Sequence, residues 1–166
     1  MFEILNEQHN TKFMQNDKTI VLTFDDNYVE QSINLIMSIL AYNSDCVFIC
    51  LCPPLTQQNT EKLLKTDAGL KIITLTIDRT IDTKNWPITT IFRVLAPWIL
   101  DESVSNILYL DSDIICTGNI SALIDFVPRY IAMCPEINAS VKQVKNPYSL
   151  CNIAKDVGIS KPAIFK

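Results

Sequence analysis

Two pairs of aspartates and an arginine carry most of the chemistry this sequence can offer. Asp111-Ser112-Asp113 follows a short apolar run, residues 106–110 (NILYL). In extended backbone, residues two apart project to the same side. The two carboxylates would then reach one cation, with Ser112 turned away. Two hard oxygen ligands suit Mn²⁺ or Mg²⁺, which keep positions open for phosphate oxygens. A metal there would stabilise a departing diphosphate. The plainer alternative is a solvated acidic turn. A second acidic pair, Asp25-Asp26, ends an earlier apolar run and leads into Asn27-Tyr28. Either carboxylate of that pair could instead cap the helix that follows, where the dipole favours negative charge. Arg93 sits on an apolar helix and reads equally as a surface arginine.

The elements that position these residues alternate in type. Residues 19–24 (TIVLTF), 46–52, 70–77 and 106–110 read as strands, and residues 130–134 as a fifth. Helices are expected over residues 29–42, from Thr56 to near Gly69, and from Thr89 or Thr90 through Trp98. Pro97 is expected to kink or end the last of these. A short helical stretch is expected over residues 120–125, and a further helix near residues 148–156. This alternation implies βαβ units, hence an α/β fold with a mostly parallel sheet flanked by helices. Ligands bind such sheets at the carboxyl ends of the strands, where strand order reverses. If the four leading strands are ordered 3-2-1-4, Asp25-Asp26 and the D-x-D are neighbours there. Residues 1–18 read as a polar lead-in, frayed at its end.

Composition removes several function classes. Lys and Arg number 14 against 18 Asp and Glu, for a net charge of −4. A chain without a basic cluster is a poor nucleic-acid binder. The single histidine, His9, precedes the first apolar run, which argues against a Ser-His-Asp triad or a multi-histidine zinc site. The apolar runs fall well short of the ~20 residues of a membrane span, and the polar start lacks a secretory core. The expectation is a cytoplasmic protein. Most of the six cysteines lie in strand-like runs, and Cys50-Leu51-Cys52 lacks finger spacing, so buried free thiols are expected.

Residues 107–120 (ILYLDSDIICTGNI) closely resemble the D-x-D segment of glycosyltransferase family 8. Residues 21–28 (VLTFDDNY) resemble that family's first strand and uridine-binding turn, and Thr90-Ile91-Phe92-Arg93 its T-x-x-R helix start. The three pieces occur in the family's order. The resemblance implies a GT-A (nucleotide-diphospho-sugar transferase) fold over residues 19–166, with a UDP-sugar as donor substrate. It implies transfer of glucose or galactose, with retention, to an acceptor hydroxyl on a glycan, lipid-linked or protein partner. By the same resemblance, Asp25 and Asn27 would bind uracil and ribose, and Tyr28 would stack on the base. Arg93 would lie near the sugar, while Asp111 and Asp113 would hold Mn²⁺ or Mg²⁺.

Family members also carry an Asn-Ser/Ala-Gly motif, and a histidine before Gly and Lys-Pro that is their third metal ligand. Neither occurs here: His9 lies on the wrong side of the first strand and Lys161-Pro162 has no histidine before it, while the acidic residue that members carry after the fifth strand appears as Glu136, displaced by Pro135. The expectation is therefore a nucleotide half with its acceptor portion missing. Two rival functions stand beside the transferase. One is a catalytically inactive UDP-binding fragment. The other is a phosphohydrolase of haloacid-dehalogenase type, whose D-x-D normally lies on the first strand.

Overall fold

The computed structural model describes residues 2–16, 18–77, 86–102, 104 and 106–126. The expected strand at 130–134, the expected helix at 148–156, Glu136 and Lys161-Pro162 lie outside the described residues. Five strands form one sheet: β1 (Phe2–His9), β2 (Thr19–Thr23), β3 (Val47–Cys52), β4 (Gly69–Ile77) and β5 (Leu108–Tyr109). The order is β1-β4-β3-β2-β5. β2, β3, β4 and β5 pair in parallel and β1 runs antiparallel on β4. Without β1, the order is the 3-2-1-4 arrangement that brings the two acidic clusters to the reversal point.

β2 and β3 are buried at every residue, as a parallel strand covered on both faces requires. Their side chains alternate between two cores. Ile20, Leu22, Phe48, Cys50, Leu70 and Ile72 face one side, where Leu35, Ile36 and Ile39 of α1 (Val29–Leu40) cover them. Val21, Ile49, Leu51, Ile73 and Leu75 face the other, under Ile91, Phe92 and Leu95 of α3 (Ile88–Ile99). Each of these buried aliphatic side chains contributes roughly 1.5–3 kcal/mol of transfer free energy. The helix α2 (Gln57–Leu64) buries only Leu63 completely. A single turn, α4 (Ser121–Ile124), follows the D-x-D segment. No helix among the described residues is long and apolar enough to cross a membrane.

The N-terminal stretch departs from its reading as a lead-in. Residues 2–9 are a strand, although all but Phe2 are exposed. Backbone pairing with β4 holds it, and Glu7 pairs with Lys71 at 2.7 Å. Hydrophobic periodicity could not find a strand that buries almost no side chain. Its glutamates and the register shift between Ile4 and Asn6 are devices that keep an exposed edge from pairing further.

Two helix ends also differ. The second helix stops at Leu64, not near Gly69, which instead opens β4. A Cβ on Gly69 would lie 2.8 Å from the Lys12 carbonyl oxygen, so glycine here permits a close backbone approach. The helix α3 passes through Pro97 and runs on to Ile99. Placed in the last turn, the proline withholds only the N–H that the Arg93 carbonyl would accept.

Cys46, Cys50 and Cys52 are buried free thiols, as expected, and Cys116 is partly buried. Burial pushes the Cys46 thiol up to about 11, and the Cys50 and Cys52 thiols well above their ordinary range. Such thiols are poor nucleophiles and poor metal ligands.

Candidate functional site

Strand order reverses between β2 and β5. β3 and β4 follow β2 on one side, and β5 returns to its other side. Ile20 pairs with Leu108 and Val21 with Tyr109, and the Leu110 N–H donates to the Val21 carbonyl at 3.2 Å. Both chains leave the sheet at this end, Asp25 two residues past β2 and Asp111 two past β5.

Past β2 the chain turns through a 3₁₀ helix, Asp26–Tyr28, before α1 begins. The Asp25 carboxylate accepts from the Asn27 N–H at 2.9 Å and caps that turn. Asp26 does something else. Its Oδ1 accepts from the Thr56 N–H at 2.8 Å and the Thr56 hydroxyl at 3.1 Å, while its carbonyl accepts from Asn59 Nδ2 at 3.2 Å. Thr56 is the N-cap of α2. Asp26 thus ties the start of α2 to the β2–α1 turn instead of capping its own helix. The Thr56 backbone bond, with help from Asn59 and the Thr56 hydroxyl, holds its carboxyl below the usual range. Asn27 and Tyr28 are exposed, with 47% of Tyr28 open to solvent.

Past β5 the strand is shorter than the expected 106–110, and Ser112-Asp113 lies in a turn instead of extended backbone. Asp111 and Asp113 are exposed, and Ser112 between them is 8% exposed. The Tyr109 hydroxyl donates to Asp111 Oδ1 at 2.8 Å, and the Thr23 hydroxyl lies 3.0 Å from the Tyr109 oxygen. Arg93 reaches over from α3. Its Nη1 is 3.3 Å from the same Asp111 oxygen, and its Cζ stands 5.1 Å from the centre of the Tyr109 ring. Burial pushes the Tyr109 phenol up to about 12. The bond to Asp111 adds to that shift, while Thr23 and Arg93 oppose it. The phenol is therefore a proton donor at any physiological pH.

The exit from the D-x-D is pinned to α1. Ser38 Oγ accepts from the Cys116 N–H at 3.0 Å. The buried Asn43 accepts from the Ile120 N–H at 3.0 Å and donates to the Gly118 carbonyl at 3.4 Å.

Among the described residues no group of three or more His, Cys, Asp or Glu side chains is placed to hold a metal ion. Asp111 and Asp113 nonetheless fit a hard divalent ion that takes one or two carboxylates and draws its other ligands from water and phosphate. Of the residues singled out by sequence, Arg93 joins Asp111 directly and Asp25 joins Asn27. Tyr109 and Thr23 were missed. The same two-residue spacing that relates Asp111 to Asp113 relates Tyr109 to Asp111, and it was the available signal.

The family model described as glycosyl transferase family 8 matches residues 19–166. A lipopolysaccharide 1,2-glucosyltransferase of Escherichia coli is 33% identical over 69 residues, covering 40% of this chain and 20% of that protein. The glycosyltransferase GlyB of Streptococcus pneumoniae is 32% identical over 118 residues, 66% of this chain and 29% of its own length. A lipopolysaccharide 1,3-galactosyltransferase of Salmonella typhimurium is 44% identical over 43 residues, 26% of this chain and 13% of that protein. The matches thus span less than a third of each of these relatives. Among solved structures, the galactosyltransferase LgtC, in complex with donor and acceptor sugar analogs, superposes with a TM-score of 0.54. That match has 21% identity and covers 66% of this chain and 42% of LgtC. The bifunctional glycosyltransferase WbbM superposes with a TM-score of 0.50 at 19% identity, over 70% of this chain and 22% of WbbM. These likenesses identify the sheet as a GT-A fold.

Proposed function

This chain belongs to glycosyltransferase family 8, and from that membership we propose that it carries the donor site of a hexosyltransferase. The donor is a UDP-sugar, the sugar glucose or galactose, and the acceptor a hydroxyl on a lipid-linked or protein-borne glycan. The observation that carries this reading is the meeting of Arg93 and Asp111 at the strand reversal, beside the β2 end that bears Asp25, Asn27 and Tyr28.

Each residue has a task that its setting supports. Tyr28 offers an exposed ring face on which a flat base can stack. Asp25 has an acceptor for the uracil N–H, and Asn27 an exposed amide for the ribose. Arg93, held against Asp111, offsets negative charge where a sugar joins its diphosphate. Asp111 and Asp113 would hold Mn²⁺ or Mg²⁺. When bound, the metal supplies positive charge to the diphosphate as it leaves. The family resemblance implies retention, and with no obvious double-displacement nucleophile among the described residues, same-face attack is the course that fits it. A phosphohydrolase of haloacid-dehalogenase type finds no support: the D-x-D follows the fifth strand in chain order, and the family is a transferase family.

One competing reading has its own observation. A donor set of two carboxylates among the described residues suits UDP binding without efficient turnover. Calorimetry with UDP, with and without MnCl₂, on the wild type and Asp113→Ala separates the cases. Metal-dependent binding lost in the variant supports the donor site. Adding UDP-glucose or UDP-galactose and measuring free UDP then distinguishes a transferase from a binding protein. Absence of UDP binding under every condition overturns both.

A further inference from the structure

We propose that Tyr109 is a positioning residue: a hydroxyl chain from Thr23 through Tyr109 to Asp111 fixes which oxygen of the Asp111 carboxylate faces the donor. The proposal rests on the donor-site reading above and deepens it.

Proton counting sets the direction of the chain. The Tyr109 hydroxyl donates its one proton to Asp111 Oδ1 at 2.8 Å. The 3.0 Å contact with Thr23 must then run the other way, the threonine donating to the phenol oxygen. Thr23 is the last residue of β2 and only 6% exposed, so the chain starts on a rigid, buried support. It ends on a side chain that is exposed just ahead of the Ser112-Asp113 turn. Left alone, such a carboxylate samples several rotamers and would have to be ordered when ligand binds.

Arg93 completes the unit. Its guanidinium approaches the same Oδ1 at 3.3 Å while standing over the Tyr109 ring. Tyr109 therefore holds the carboxylate by its tip and the guanidinium by its face. Among the described residues, both polar contacts of Asp111 fall on Oδ1. Oδ2 is the oxygen presented to an incoming cation or ribose.

Tyr109→Phe isolates the hydroxyl, because the ring and its stacking on Arg93 remain. The experiment follows free Mn²⁺ by its paramagnetic resonance signal as MnCl₂ is titrated with saturating UDP. It uses the wild type, Tyr109→Phe, Asp111→Asn and the double variant, with melting temperatures recorded for each. Ordering one side chain on binding corresponds to about 2- to 10-fold in affinity. Tyr109→Phe should weaken Mn²⁺ uptake by that factor and have no further effect in the Asp111→Asn background. Thr23→Val, which breaks the chain at its other end, should act in the same direction. A merely structural tyrosine would weaken uptake equally in both backgrounds, and that result overturns the proposal. Wild-type uptake with Tyr109→Phe unchanged also overturns it and leaves the donor site standing. No uptake by the wild type overturns the donor-site reading itself, and this proposal with it.

Discussion

Val21 and Tyr109 face each other in parallel register across the boundary where the strand order reverses. That single pairing joins two stretches nearly ninety residues apart. β2 delivers Asp25 and the turn to Tyr28, and β5 delivers the D-x-D, both from the same end of the sheet. The α3 helix, packed on the Val21 face, sends Arg93 to the same place. The meeting of Arg93 and Asp111 beside the end of β2 is thus a product of topology, with backbone ladders setting the parts and side chains only refining them.

Asp113 carries no structural bond among the described contacts and is exposed. Asp113→Ala should change unfolding free energy by no more than about 0.5 kcal/mol. On the proposed reading it should also reduce Mn²⁺-dependent UDP affinity by at least about tenfold, since a metal held there would lose one of two carboxylates. Denaturant unfolding and calorimetry on the same preparation check the two halves. A large loss of stability would mean that Asp113 has a structural duty, and the binding result could not then be assigned to chelation.

Arg93 pairs with a carboxylate whose side chain is 56% exposed, so solvent screens the pair. Arg93→Ala should cost less than about 1 kcal/mol of stability. Arg93→Lys keeps the charge but loses the planar stack on Tyr109. Both variants should bind UDP-glucose or UDP-galactose more weakly while binding UDP nearly as well as the wild type, if the arginine serves the sugar end. Equal losses for UDP and UDP-sugar would place it at the nucleotide instead. Competition calorimetry decides.

Asp26 lies next to a donor-site candidate yet is bound into the fold. Its carboxyl is held below the ordinary range by the Thr56 N–H, the Asn59 amide and the Thr56 hydroxyl. A carboxyl depressed in the folded state adds stability that is present above its unfolded pKa and lost as pH falls through the folded one. The contribution is therefore complete near neutrality, begins to fall below about pH 4 and is gone once pH is below the depressed folded value. Asp26→Asn should melt at a lower temperature than the wild type at pH 7, and the gap should shrink as pH falls from 5 toward 3. A gap that stays constant with pH would show that the amide replaces the carboxylate's bonds fully.

Much of this was legible in the residues, for identifiable reasons. β2 and β3 announce themselves as unbroken apolar runs because a parallel strand buries both faces. The Thr56 cap was visible as a hydroxyl ahead of Leu63, and the 3-2-1-4 order, entertained only as the condition under which the acidic clusters are neighbours, is the order of β4-β3-β2-β5. β1 was not legible, since its pairing is backbone to backbone and its side chains stay in water. The division of labour between Asp25 and Asp26 was hidden as well. Two adjacent carboxylates look alike in sequence, and only the approach of Thr56 separates the one that caps the turn from the one that fastens α2.

Asn43 tests whether the D-x-D depends on support from outside the cleft. Its side chain is 4% exposed and lies just past the end of α1. Its amide nitrogen donates to the Ile39 carbonyl at 3.1 Å and the Gly118 carbonyl at 3.4 Å, and its oxygen accepts from the Ile120 N–H at 3.0 Å. Asn43→Ala removes one bond from each of three backbone groups; the Ile39 carbonyl keeps the Tyr42 and Asn43 N–H donors and the Gly118 carbonyl keeps the Cys116 thiol, so the Ile120 N–H is the group left without its partner, at about 1–3 kcal/mol less whatever water recovers. A total loss of about 2–3 kcal/mol in urea unfolding is expected. The segment from Cys116 to Ile120 would then be fixed to α1 chiefly by Ser38, whose oxygen accepts from the Cys116 N–H. Mn²⁺-dependent UDP affinity should fall although Asn43 touches neither aspartate. Asn43→Asp keeps the acceptor for Ile120 and removes only the donor, so it should sit between the wild type and the alanine variant in both measurements. Unchanged affinity in Asn43→Ala, with stability lost as expected, would show that the turn at Ser112-Asp113 holds its own geometry without the anchor.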